Sequence, residues 1–156
     1  MKTTDHFDWT EIQQRFEAWW QHAQTDSPLL NLVTRRDNIA ETLESETPFT
    51  EPCDKYLNVA ELALRRRNFY RLHRLMGDAY PQLSLDLGPG SLALYLGSEP
   101  DFAWDTVWYK ECVHSVENWP PLLFRPDNYW LQKHLAMFRQ ANDMAGRQFI
   151  LNMPDL

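Results

Sequence analysis

Cysteine is scarce in this chain, apolar residues never run on for long, and positive charge is outweighed by negative. The two cysteines, Cys53 and Cys112, lie far apart with no paired spacing, which argues against a disulfide framework. No stretch approaches the roughly 18 consecutive apolar residues of a membrane span. The opening MKTTDHFDWT lacks the apolar heart of a secretory signal. These absences set the expectation of a cytoplasmic protein that does not engage a membrane. Fifteen Lys and Arg against 22 Asp and Glu leave a net charge of −7, which opposes general attraction to nucleic acid. There is no internal repeat and no low-complexity block. What the chain does have is apolar bulk: 44% apolar composition, with seven Trp and eight Phe in 156 residues. That is enough for one domain with a packed core and is unlike a disordered chain.

Trp9, Ile12, Phe16, Trp19 and Ala23 recur at steps of three and four, predicting an amphipathic helix over 8–24 that Asp8 and Glu11 open as a capping box. Ser27-Pro28 breaks it, and the apolar PLLNLVT reads as a strand closed by Arg35 and Arg36. From Asp37 to Pro52 the chain carries five acids and no base, a solvated connection with one helical turn around Ile39 to Leu43. A long helix is predicted over 54–76, capped by Asp54 and ended by Gly77. Leu83, Leu85 and Leu87 then alternate with Ser84 and Asp86 in a strand. It runs into Gly88-Pro89-Gly90 and a short helix ended by Gly97. Trp104, Thr106, Trp108, Val113 and Val116 suggest a hairpin over 104–116. Asp127 caps a further helix whose apolar face holds Trp130, His134, Met137 and Ala141, with Gly146 closing it and a last strand over 149–153. Strands separated by helices favour parallel pairing through crossovers, hence an α/β fold.

Asp86-Leu-Gly-Pro-Gly-Ser91 is the foremost site candidate. In α/β folds ligands gather where strand ends meet helix starts. Gly88 and Gly90 allow a tight turn stiffened by Pro89, and the free N–H groups at Ser91 and beyond offer themselves to an anionic ligand. The same residues also suit a purely structural turn in which Asp86 tightens the backbone. The glycine spacing is neither that of a dinucleotide fingerprint nor that of a phosphate loop. Arg35 and Arg36, at a strand end, can bind substrate carboxylates or pair with the acidic segment that follows. Arg65-Arg66-Arg67 points around a helix and reads as a solvated surface. Cys112 and His114 lack a third metal ligand nearby, and His134 reads as a satisfied core histidine.

The blocks LSLDLGPGSLALYLGSEPDFAWDTVWY, PPLLFRPDNYW and GRQFILNMPDL, in that order, resemble the N-terminal half of the uroporphyrinogen decarboxylase superfamily. That superfamily also holds cobalamin-dependent methyltransferases, and the texture is that of its uncharacterised bacterial, corrinoid-methyltransferase-like branch. The resemblance covers essentially the whole chain from Trp19-Trp20 onward. It implies the N-terminal portion of a (β/α)8 TIM-type barrel, a fold of roughly 250 residues, with 1–156 forming a single partial barrel domain that is incomplete in this chain. It implies that Asp86 is the strand-end aspartate that holds pyrrole N–H groups and serves as the catalytic residue. Arg35 and Arg36 stand where the decarboxylases carry an arginine pair for substrate carboxylates, and Gly88, Gly90 and Ser91 complete the ligand-binding set. In the methyltransferases zinc is held by a His-x-Cys pair and a later Cys of the second half. Cys112-x-His114 has the reverse order and another location, so no metal ligand and no cofactor is assigned here; zinc and a corrinoid belong to a complete protein. The implied function is corrinoid-linked methyl transfer or tetrapyrrole binding, with this segment inactive alone. The alternative is a non-catalytic binding or assembly module completed by another chain or by self-association.

Overall fold

The computed structural model describes residues 9–23, 27–37, 42–115, 117, 121, 123–146 and 148–152. In chain order these form α1 (Trp9–Trp20), β1 (Asn31–Arg35), α2 (Asp54–Leu57), α3 (Val59–Leu72), β2 (His73–Gly77), β3 (Gln82–Ser84), α4 (Ser91–Tyr95), β4 (Pro100–Phe102), β5 (Val107–Tyr109), α5 (Tyr129–Ala145) and β6 (Ile150–Asn152). The strands make three two-stranded sheets. β1 is antiparallel to β2, β3 is parallel to β6, and β4 is antiparallel to β5. The described residues form no closed barrel. None of their helices is long and apolar enough to cross a membrane.

The core is built on the alternating leucines. Leu83, Leu85 and Leu87 are all buried, although the β3 ladder ends at Ser84. They pack with Val59 and Ala63 of α3, Leu94 of α4, and Met137 and Ala141 of α5. Residues at i and i+2 of an extended chain share one face, which is why the alternation survives beyond the last ladder bond. α5 begins at Asn128, whose Oδ1 accepts from the Leu131 N–H at 2.9 Å, while its Nδ2 donates to the Leu94 carbonyl at 3.0 Å. The cap is thus Asn128 and not Asp127. It ends at Gly146 in the left-handed region, φ +49°, as a glycine C-terminal cap does.

The predicted helix over 54–76 is corrected in two ways. It is interrupted at Asn58, whose side chain caps α3 by accepting from the Glu61 N–H at 3.1 Å. It also stops at Leu72, because His73 to Gly77 pair with β1 in the register Leu32↔Met76, Val33↔Leu75. A partner strand supplies the backbone groups of these residues with bonds that local helical periodicity cannot foresee. The predicted hairpin also shifts: its strands lie at 100–102 and 107–109, and Trp104 falls in the connection. Val116 and Met153 lie outside the described residues, as do Asp8 and residues 38–41.

α1 buries none of its residues. It is held at the side by Tyr80, which meets the rings of Trp9 and Phe16 edge-on, and by Arg15, which pairs with the nearly buried Asp78. Asp78 Oδ2 also accepts from the Leu30 N–H at 2.9 Å. The Arg15 hydrogen bond is the main cause that holds the Asp78 carboxyl below the ordinary carboxylate range, against the opposing effect of burial.

The acidic stretch before α2 is fastened, and the fastener is α3. Asn68, buried, accepts from the Glu44 N–H at 3.0 Å and donates to the Glu44 carbonyl at 2.8 Å. Glu61, one heptad earlier on the same face and also buried, accepts from the Thr47 N–H at 3.0 Å. Arg67 makes a two-pronged contact with the Glu44 carboxylate. The arginines of α3 therefore do pair with the acidic segment, which the sequence pattern alone offered to Arg35 and Arg36.

Candidate functional site

The parallel pair β3–β6 delivers its C-terminal ends to one place. At that end Ser84 stands opposite Asn152, whose Nδ2 donates to Ser84 Oγ at 3.3 Å and to Gln82 Oε1 at 2.6 Å. A cleft of about 640 Å3 opens above them, lined by Lys55, Tyr56, Ser84, Leu85, Asp86, Gly88, Pro89, Asp105, Thr106 and Asn152. Small-molecule sites occupy roughly 300–1,000 Å3, and open α/β sheets present theirs at the carboxyl ends of strands.

Asp86 is exposed at the mouth of the turn. Its Oδ1 accepts from the Gly88 N–H at 3.1 Å, the side-chain turn that aspartate commonly makes two residues on. Its other oxygen makes no hydrogen bond or ion pair among the described residues. Gly88 has φ +98°, and a Cβ there would lie 2.6 Å from Val107 Cβ and 2.7 Å from the Tyr109 hydroxyl. Position 88 therefore requires glycine for its backbone angle and for its surroundings.

Both glycine amides of the turn have partners. The Gly88 N–H is held by Asp86 and the Gly90 N–H by the Tyr109 hydroxyl at 3.0 Å. α4 is only five residues long. The two glycine amides of the expected anion cradle are thus engaged by side chains of the chain itself. The cleft presents instead the carboxylates of Asp86 and Asp105, with Lys55 turned toward the Trp104 carbonyl. Burial raises the Tyr56 hydroxyl pKa, and the negative charges of Asp86 and Asp105 raise it further. The charged side chains of the lining are thus two carboxylates and one ammonium.

Behind the turn runs a buried relay. His134 Nε2 lies 2.7 Å from the Leu85 carbonyl, and Nδ1 lies 2.6 Å from the Tyr95 hydroxyl. A carbonyl can only accept, so Nε2 carries the proton and Nδ1 accepts from Tyr95. Ser91, fully buried, hydrogen-bonds Tyr95 in turn. Its place is therefore in this relay and not in the cleft lining. Burial lowers the His134 pKa, while the Leu85 carbonyl and the Asp86 charge act the other way.

Arg35 and Arg36 stand on the β1–β2 ribbon and are not among the cleft's lining residues. Arg35 is exposed opposite His73, and Arg36 Nε donates to the His73 carbonyl at 3.1 Å. Cys112 and His114 are both exposed, and no group of three or more His, Cys, Asp or Glu among the described residues is arranged to hold a metal. Comparison with known proteins finds no matching family model, no matching curated protein and no matching solved structure.

Sequence reasoning missed Lys55, Tyr56, Asp105, Thr106 and Asn152. Only Asn152 carried a legible signal, as the residue at the end of a second predicted strand. The others reach the cleft from α2 and from the connection between β4 and β5, which nothing in their local pattern announces.

Gly88→Ala is expected to destabilise the chain by about 2–5 kcal/mol, from a positive φ combined with overpacking. Gly97→Ala, where φ is +111° but nothing lies within 4 Å of the added Cβ, is expected to cost about 1–2 kcal/mol from strain alone. Urea midpoints of the two variants test the difference. Acid stability tests the relay. Because the His134 pKa is lower folded than unfolded, its contribution is complete above about pH 6.5. It is lost as pH falls through the folded value, since the unfolded chain then binds the additional proton. Asp78, also lowered, loses its contribution only below about pH 4. Unfolding free energy is thus expected to fall between pH 7 and 5, and His134→Gln to flatten that slope.

Proposed function

We propose that this chain is the N-terminal portion of a barrel of the uroporphyrinogen decarboxylase and cobalamin-dependent methyltransferase type. Its cleft binds a corrinoid or tetrapyrrole-like ligand through Asp86. The observation that carries the reading is the position of Asp86 at the carboxyl end of a parallel strand pair. One of its oxygens is fixed by the Gly88 N–H, and the other has no partner among the described residues. A carboxylate held in this way is an acceptor for ligand N–H groups, and its orientation is set before the ligand arrives. The residue blocks around the turn support the same family. Lys55, Tyr56, Thr106 and Asn152 line the same cleft.

The described residues present no cluster suited to zinc. Arg35 and Arg36 stand outside the lining of the cleft. The chain's own part is to bind and orient. Transfer chemistry falls to groups supplied by the remainder of a complete protein.

A second reading draws on the β3–β6 pair, whose outer edges are unpaired among the described residues. Parallel sheets ordinarily have more strands and both faces covered. This favours a module completed by another chain or by a second copy.

One experiment addresses both readings. Quenching of the seven tryptophans is titrated with hydroxocobalamin and, separately, with a tetracarboxylate porphyrinogen, and the sample's mass is measured by sedimentation. Saturable binding is expected that weakens at least about tenfold, or roughly 1.4 kcal/mol, in Asp86→Ala and is unchanged in Arg35→Ala. Binding that ignores Asp86→Ala, or a folded sample that binds neither probe, overturns the ligand reading. A strictly monomeric mass overturns completion by a second copy.

A further inference from the structure

The turn that carries Asp86 does not close on itself. In a four-residue turn the first carbonyl ordinarily accepts from the fourth N–H. Between Leu87 and Gly90 that bond is missing from the turn. The Tyr109 hydroxyl stands in its place, accepting from the Gly90 N–H at 3.0 Å and donating to the Leu87 carbonyl at 3.0 Å. One phenol oxygen thus satisfies both backbone groups and holds them apart.

The fit around it is close. A Cβ at Gly90 would lie 3.2 Å from the Tyr109 ring, and one at Gly88 would lie 2.7 Å from its hydroxyl. Between the two bridged groups lie only Gly88 and Pro89, and Pro89 fixes its own φ. The hydroxyl therefore limits the one flexible residue left, Gly88, whose N–H points at Asp86 Oδ1. Burial raises the Tyr109 pKa, the Gly90 N–H lowers it and the Asp86 charge raises it again. The phenol keeps its proton at neutral pH and can donate to Leu87.

Tyr109 closes β5, so the same contact joins the turn to the hairpin. The far end of that hairpin is fixed separately. Tyr56 donates to the Ala103 carbonyl at 3.1 Å and Lys55 to the Trp104 carbonyl at 2.5 Å. Asp105 and Thr106, which line the cleft, lie directly after these two anchor points.

We propose that Tyr109 is the positioning residue for Asp86: its hydroxyl, inserted into the Leu87–Gly90 turn, fixes the Gly88 amide against one carboxylate oxygen and so aims the other into the cleft. Its importance for ligand binding rests on the reading of this cleft as the ligand site, whereas its hold on the turn does not.

Hydrogen exchange on the full chain, followed amide by amide by NMR, tests the hold. In Tyr109→Phe, which keeps the ring, the Gly90 and Gly88 amides are both expected to exchange about tenfold faster or more. The Met137 and Ala141 amides of α5 are expected to be unmoved. Acceleration of Gly90 alone, or of all four together, overturns the proposal. So does a Tyr109→Phe, Asp86→Ala double variant whose Gly88 amide exchanges faster than in Asp86→Ala alone. If Tyr109→Phe does not fold, the unmodified chain decides: Gly88 and Gly90 must share one opening free energy and one denaturant dependence, and different values overturn it. In the binding arm, Tyr109→Phe is expected to weaken the response to hydroxocobalamin or the porphyrinogen severalfold, and unchanged affinity overturns the positioning role. Failure of the unmodified chain to bind either probe defeats the ligand reading and leaves the exchange result to judge Tyr109.

Discussion

A buried carbonyl without a donor is costly, by about 1–3 kcal/mol, and the Leu85 carbonyl sits where that cost threatens. The β3 ladder has ended at Ser84, yet Leu85 remains buried against α3 and α5. His134 supplies the donor, and much of the local architecture follows from it. With Nε2 committed to Leu85, Nδ1 must accept, and Tyr95 donates to it. Ser91 then completes Tyr95. The strand end, α4 and α5 are joined by three side chains with every polar atom satisfied, as buried networks must be to stabilise rather than weaken a core. Asp86 follows Leu85 directly, so the carboxylate of the cleft begins from a fixed point.

The electrostatic character of the cleft follows from the same economy of backbone groups. A tight turn before a helix usually leaves amides pointing outward, which makes it an anion site. Here Asp86 takes the Gly88 amide and Tyr109 takes the Gly90 amide. Exposed beside them is the Asp86 carboxylate. Both glycine amides that the Gly-Pro-Gly pattern offers are therefore taken, one of them by a tyrosine 19 residues downstream of Gly90.

What was legible in the sequence was whatever depends on near neighbours. The alternation of Leu83, Leu85 and Leu87 gave the buried strand, Gly146 gave the end of α5, and the spacing of His134 with Met137 and Ala141 gave its buried face. The errors lie where a distant partner decides. Residues 73–77 continue a respectable helical pattern, yet β1 draws them into a ribbon. Asn68 and Glu61 look like ordinary helix-surface residues, yet they are buried because they bind the backbone of a segment some 14 to 24 residues earlier. Asp127 and Asn128 are equally good caps by composition, and the Asn128 amide contact with Leu94 distinguishes them.

Tyr109 shows why the site was harder to read than the fold. Its neighbours mark it as a strand residue and nothing more. Its consequence arises because side chain and turn meet at van der Waals contact, and such contact needs glycine at 88 while glycine's freedom needs a restraint. Gly88 without Tyr109 would leave Asp86 on a loose hinge, and Tyr109 opposite any larger residue could not approach the turn. Each residue is explicable only through the other. The pair also ties the Asp86 wall to the hairpin, whose far end is moored to α2 by Lys55 and Tyr56. The Asp86 and Asp105–Thr106 sides of the cleft are therefore joined through protein hydrogen bonds, which set the spacing between them.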